Sequence, residues 1–193
     1  MSTIFVYLEA DARISTNSYA KNSNYGGANL ATNSVYEWRS VIRPNVSAIP
    51  AGATITAVTF HLYQEGGSDT SGVETLYRLR RTFVENEVTG DRASNGEGWT
   101  TDGAESTASD RYATAAGTLT FADDQGWQEC AINLSEFQEL IDTENTGFLI
   151  KRTSGGTSDK TFTSREGVSV GINKAPYFEV EYEASSGQQI IIL

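Results

Sequence analysis

The chain has little of what enzyme chemistry and small-protein stapling draw on: 193 residues contain one cysteine, Cys130, and one histidine, His61. A lone cysteine cannot form an internal disulfide, so the fold must be held by its core. Between Glu129 and Ala131 in a strand-like run, Cys130 reads as a small buried hydrophobe rather than a reactive thiol. One Cys and one His also leave too few nitrogen and sulfur ligands for a zinc site. A hydrolytic triad would rest on His61 with no nucleophile turn to serve it. No catalytic residue is assigned, and the chain reads as a non-enzyme. Paired carboxylates of the glycosidase kind read as solvated surface, because loop Asp and Glu are abundant enough to meet by chance.

Long apolar runs are missing too. Ile4-Phe5-Val6-Tyr7-Leu8 is too short to span a membrane and lacks the basic flank of a signal peptide. Positive charge is scarce: 14 Lys and Arg stand against 25 Asp and Glu, a formal charge of −11. That balance repels phosphate backbones and anionic lipid, so neither nucleic acid nor membrane is expected as a partner. The cluster Arg78-Leu79-Arg80-Arg81 runs against the balance. Its alternation puts Arg78 and Arg80 on one strand face, as a solvated or ion-paired pair.

What is present is strand patterning. From Thr54 the apolar side chains fall at Ile55, Val58, Phe60 and Leu62, the alternation of a strand with one buried face, and Pro50-Ala51-Gly52-Ala53 supplies the turn before it. Ile4 to Leu8 continues after a kink into Ala10 to Ser15. Val35 to Ile42, Val73 to Val84, Thr118 to Phe121, Trp127 to Ile132, Phe148 to Lys151, Thr161 to Glu166 and Tyr177 to Tyr182 read as further strands. One short helix is expected, with Ser135 as N-cap and Gln138 completing a capping box, and with Phe137, Leu140 and Ile141 on one stripe. About ten short strands and one helix describe an all-β fold: an antiparallel two-sheet β-sandwich of jelly-roll or Greek-key type. A single domain over 1–184 is expected, followed by a tail over 185–193 whose polar spacer ends in Ile190, Ile191, Ile192 and Leu193.

The stretch from Glu85 to Gly117 is long, polar and poor in large aliphatics, which points to a functional or poorly ordered loop. Trp99 within it, with Tyr112 and Trp127, are the candidates for stacking on a sugar ring. Trp99 is expected to be exposed and Trp127 to lie in the core.

Several segments together resemble the DNRLRE-type β-sandwich domain. They are Ala10-Asp11-Ala12, Asn24-Tyr25-Gly26, Arg39-Ser40-Val41-Ile42, Ile49-Pro50-Ala51-Gly52-Ala53-Thr54-Ile55 and Leu62-Tyr63. Phe162-Thr163-Ser164-Arg165-Glu166-Gly167 and Ala175-Pro176-Tyr177-Phe178-Glu179-Val180-Glu181-Tyr182 complete the set. The likeness covers roughly residues 5 to 183, with Phe83 ahead of Glu85 standing where such domains commonly carry a tryptophan. It implies a fold similar to jelly-roll carbohydrate-binding modules and a non-catalytic role, in some cases on acidic polysaccharides. Here the acidic balance speaks against an anionic glycan.

Calcium is the metal left open, since loop carboxylates at Asp11, Asp69, Asp102, Asp110, Asp123 and Asp124 could converge; Asp11, Asp123 and Asp124 are the candidates, and no EF-hand spacing occurs. Arg165 and Glu166 are expected to be structural, with Arg165 buried and tying the last strands together. The leading functional expectation is a structural or assembly protein of a phage virion, such as a capsid decoration or fibre-associated protein. Ile190 to Leu193 would dock as a strand on a protein neighbour, in a homo-oligomer. The alternative is a carbohydrate-binding or adhesion module at the cell surface, and virion and extracellular surface are the two matching locations.

Overall fold

A computed structural model describes residues 1–34, 37–67, 72–120, 125–166 and 174–184. Its strands are β1 (Ser2–Ser15), β2 (Leu30–Thr32), β3 (Trp38–Pro44), β4 (Thr54–Gly67), β5 (Val73–Leu79), β6 (Arg92–Ser94), β7 (Glu97–Gly98), β8 (Arg111–Thr120), β9 (Gly126–Ala131), β10 (Phe148–Ser154), β11 (Lys160–Phe162) and β12 (Tyr177–Glu183), with the helix α1 (Leu134–Asp142) before β10. Every pairing is antiparallel. The all-β sandwich expected from the pattern is what the chain forms. One layer runs β2-β11-β4-β12-β1, with β9 on the other edge of β4, and the second runs β1-β3-β10-β5-β8.

β1 belongs to both layers. Ser2 to Tyr7 pair with β12, and from Leu8 the strand pairs with β3, with a bulge between Leu8 and Ala10. An extra residue bends a strand and reverses its alternation. Val6 and Leu8 accordingly face the core between the layers, whereas Ala10, Ala12 and Ile14 face a second cluster. The main core gathers Phe60, Leu62, Phe162, Phe178 and Val180 from the first layer against Ile42, Leu76, Phe148 and Ile150 from the second. The Phe148 and Phe178 rings meet across it at 5.8 Å.

The second cluster explains the long polar stretch, which is a packed cover rather than a loose loop. Phe83, Val88, Ala93, Trp99 and Ala104 lie on the outer side of the second layer, against Ala10, Ala12, Ile14, Val41 and Leu149. Few large apolar residues suffice because the polar ones satisfy the backbone. The Asp110 carboxylate, 0 % exposed, accepts the N–H groups of Thr100 at 2.9 Å, Thr101 at 3.0 Å and Ser106 at 3.2 Å. Glu105 draws together Arg39 at 3.0 Å, Arg111 at 2.9 Å and Lys151, pinning cover to sheet. Gly90 is needed for this fit, since a Cβ there would lie 1.7 Å from the Ser15 carbonyl oxygen.

α1 begins two residues earlier than its sequence suggests. Asn133, not Ser135, caps it, its side-chain oxygen accepting the Ser135 N–H at 3.0 Å. Gln138 does not close a capping box. It instead accepts the Ile55 N–H at 3.0 Å and donates to the Ala53 carbonyl at 3.3 Å, holding the helix on the start of β4. No helix among the described residues is long and apolar enough to cross a membrane.

Candidate functional site

The outer face of the first layer carries aromatic rings where a solvent-facing sheet would carry polar side chains. On β1, Val6 and Leu8 are buried, so the alternate residues Phe5 and Tyr7 point outward, 54 % and 48 % exposed. The same parity turns Tyr177 and Glu179 of β12 outward opposite buried Phe178 and Val180, and His61 and Tyr63 of β4 outward opposite Phe60 and Leu62. Trp127 of the edge strand β9 joins them at 41 % exposed.

Register aligns these side chains in rows. Tyr7, Tyr177, His61 and Glu129 are successive partners across β1, β12, β4 and β9, a row about 14 Å wide at about 4.8 Å per strand. Tyr63 pairs with Trp127 on one side of it, and Phe5 with Glu179 on the other. Tyr177 is the hub: its ring lies 5.7 Å from Phe5, 5.8 Å from Tyr7 and 5.5 Å from Trp127, at steep angles to Phe5 and Trp127, and stacks on His61 at 4.4 Å. Trp127 meets Tyr63 edge-on at 5.5 Å. The crossed rings make a ridged surface rather than a flat one, the edge-to-face geometry that aromatic quadrupoles favour.

Carboxylates frame the face. Glu129 and Glu179 lie 3.3 Å and 3.4 Å from the two ring nitrogens of His61. Burial, with Glu179 and Glu129 adding to it, pushes the Tyr177 hydroxyl above its ordinary range, so it stays a neutral hydrogen-bond donor. A shallow hollow beside Tyr63 is lined by Glu65, Gln125 and Lys174, with the Lys174 ammonium 4.0 Å from the Tyr63 ring centroid. The face therefore offers ring surfaces, hydroxyls and carboxylate acceptors with little positive charge.

The residues singled out by sequence are distributed differently from the expectation. Trp99 is buried, 6 % exposed, and its indole N–H donates to the Thr89 carbonyl at 3.1 Å; the cover closes over it and leaves no face for a sugar. Tyr112 is clamped between two guanidiniums, those of Arg78 and Arg80, each 3.8 Å from its ring centroid, while Arg78 also pairs with Glu136 at 2.7 Å. Trp127, expected in the core, is the exposed one, because β9 packs inward through Cys130. Burial pushes the Cys130 thiol up to about 12, in keeping with an inert core residue. Phe5, Tyr7, Tyr63 and Tyr177 were not singled out; their signal is strand parity.

Arg165 and Glu166 meet two distant residues, Asp11 and Glu85. Arg165 is not buried: its side chain is 37 % exposed and pairs with Glu85 at 2.5 Å and Glu166 at 2.6 Å. Its tie runs to the cover and, through its backbone N–H, to Asp11 at 2.8 Å, not to the last strands. Asp11 lies inside β1 and not in a loop. Burial, followed by the nearby Glu166 and Glu85 charges, pushes its carboxyl up to about 7, although the Arg165 N–H bond pulls the other way. Asp102 pairs with Lys21 at 3.0 Å. Asp69, Asp123, Asp124 and the tail residues Ile190, Ile191, Ile192 and Leu193 lie outside the described residues.

Fold and face together define an antiparallel β-sandwich with an aromatic outer surface. No protein-family model matches the chain, and no curated protein matches it.

Proposed function

We propose that the chain is a non-catalytic carbohydrate-binding module that holds a neutral, single-chain polysaccharide on the aromatic face of its first layer. The observation that carries this reading is the row Tyr7, Tyr177 and His61 with Trp127 and Tyr63 beside it, in which Tyr7 and Trp127 are exposed, Tyr177 and Tyr63 half-buried, and His61 is buried beneath the stacked Tyr177 ring. Aromatic rings stack on the C–H faces of sugars, and a tyrosine or tryptophan keeps a polar edge for their hydroxyls. Glu129 and Glu179 supply acceptors for those hydroxyls, and their charge disfavours an acidic polymer. Crossed rings suit a free, twisting chain better than a flat crystalline surface. A site on strands is also held more firmly than one on loops.

The likeness to DNRLRE-type domains supports the same reading. Three of the segments that carry it meet around Glu85: Asn24 donates to the Glu85 carbonyl at 2.7 Å, Asp11 accepts from Arg165, and Arg165 pairs with Glu85. The assembly reading rests on the apolar tail, which lies outside the described residues. A virion or cell-surface protein carrying this module would use it to hold glycan.

The test is a panel of neutral and acidic oligosaccharides bound to the wild type and to Trp127→Ala and Tyr7→Ala. Binding to a neutral member, weakened about tenfold or more by either change at an unaltered melting temperature, is the expected result. Exclusive binding of acidic members, or no glycan binding together with a dimer dispersed by Trp127→Ala, would overturn it in favour of another role for the face.

A further inference from the structure

Three stretches far apart in sequence bring carboxylates together where β1, the cover and the turn after β11 meet. Oxygens of Asp11, Glu85 and Glu166 all lie within 4.8 Å of one another, Asp11 buried, Glu85 half-buried and Glu166 exposed. Independently of that clustering, Asp11 is 0 % exposed and its Oδ1 has no hydrogen-bond partner among the described residues. A buried carboxylate oxygen left without a partner is costly, so the arrangement calls for a cation to meet it. The Arg165 guanidinium does not: it is engaged by Glu85 at 2.5 Å and Glu166 at 2.6 Å. Fully ionised, the three carboxylates and one guanidinium leave a balance of −2, and Glu166, Glu85 and Arg165 are the charges that bear on Asp11.

We propose that Asp11, Glu85 and Glu166 bind one divalent cation of the calcium type. Hard oxygen donors without nitrogen or sulfur select such an ion over zinc or copper. Oxygens spread over this span can be bridged by calcium, whose bonds run about 2.3–2.6 Å, and the exposed side at Glu166 leaves room for water to complete its shell. The scaffold around Glu85 is preset. Asn24 Nδ2 donates to the Glu85 carbonyl at 2.7 Å and the Val88 carbonyl at 2.8 Å. Gly26 approaches so closely that a Cβ would lie 2.5 Å from the Glu85 carbonyl oxygen. The Asp11 N–H donates to Glu85 Oε1 at 2.9 Å, which fixes one ligand against the other. The ion would tie β1 to the cover and to the β11 turn.

The experiment is a calorimetric titration of the chelator-treated full chain with calcium chloride, paired with thermal melts in calcium and in chelator. One ion per chain is expected, with the melting temperature about 5–10 °C higher at saturating calcium. Glu166→Gln, at an exposed position where an ion pair contributes little to folding, should weaken calcium binding at least tenfold. Its melt in chelator should match that of the wild type in chelator. No calcium heat and identical melts would overturn the proposal and leave the cluster as an ion-paired strut around Arg165. Calcium binding unaffected by both Glu166→Gln and Glu85→Gln would overturn it as well, by putting the ion elsewhere.

Discussion

Glu74→Ala should cost the fold about 3–5 kcal/mol, the range for breaking a buried ion pair from one side. Glu74 is 0 % exposed, and its Oε1 accepts from Arg152 Nε at 2.9 Å, Arg152 Nη2 at 2.8 Å and Thr32 Oγ1 at 2.8 Å. Burial pushes its carboxyl above the ordinary range, and the Arg152 and Thr32 hydrogen bonds pull it back only in part. Lys160 is also 0 % exposed and bears on Glu74 electrostatically, its Nζ without a hydrogen-bond partner among the described residues. Removing Glu74 therefore strips Arg152 of the two hydrogen bonds that Oε1 accepts and takes from buried Lys160 the carboxylate that bears on it, which is the one-sided loss that this range describes. For a chain of this length that is a fall of roughly 10 °C in melting temperature. Arg152→Met should cost less than Glu74→Ala, even though Nη1 also donates to the Gly156 carbonyl at 3.0 Å and the Ser158 carbonyl at 2.7 Å, because Lys160 remains to balance Glu74. The double variant should fall short of the sum of the singles by about 2 kcal/mol. Urea unfolding of all four proteins, followed by far-UV circular dichroism, measures this. A Glu74→Ala cost under about 1 kcal/mol, or simple additivity, would refute the reasoning.

Trp99→Ala should destabilise by about 3–5 kcal/mol as a large-to-small change in a packed cluster, seen in the same unfolding assay, while leaving glycan affinity of the folded fraction unchanged. Cys130 should resist an aromatic disulfide reagent in the native protein, since its thiol is pushed up to about 12 by burial. It should react at an ordinary rate in urea, so native-state labelling within minutes would contradict its placement in the core.

The layers were legible because strands facing a core announce themselves with period two, as Ile55, Val58, Phe60 and Leu62 do in β4. The single buried anchors of the cover were not: Phe83, Val88 and Trp99 are spaced irregularly among glycines and acids, and what buries them is tertiary packing on Ala10, Ala12 and Ile14. The aromatic face was missed for a related reason. Weighing each tryptophan by the polarity of its own segment puts Trp99 outside and Trp127 inside, and both come out reversed. The parity of Phe5 and Tyr7 against Val6 and Leu8, and of Tyr177 against Phe178, held the better signal. Asp11, set between alanines, resembles a loop acid in sequence, but the bulge at Glu9 carries it into the interior of β1. Its meeting with Glu85 and Arg165, 74 and 154 residues away, is a product of topology alone.

Of the three tryptophans, Trp127 is the exposed one, which makes it a reporter placed inside the proposed glycan surface. Titration of the chain with neutral oligosaccharides should shift its emission to the blue and saturate, and Trp127→Phe should abolish the spectral change while retaining most of the affinity. Saturable glycan binding that leaves the Trp127 emission untouched would put the sugar elsewhere and contradict the account.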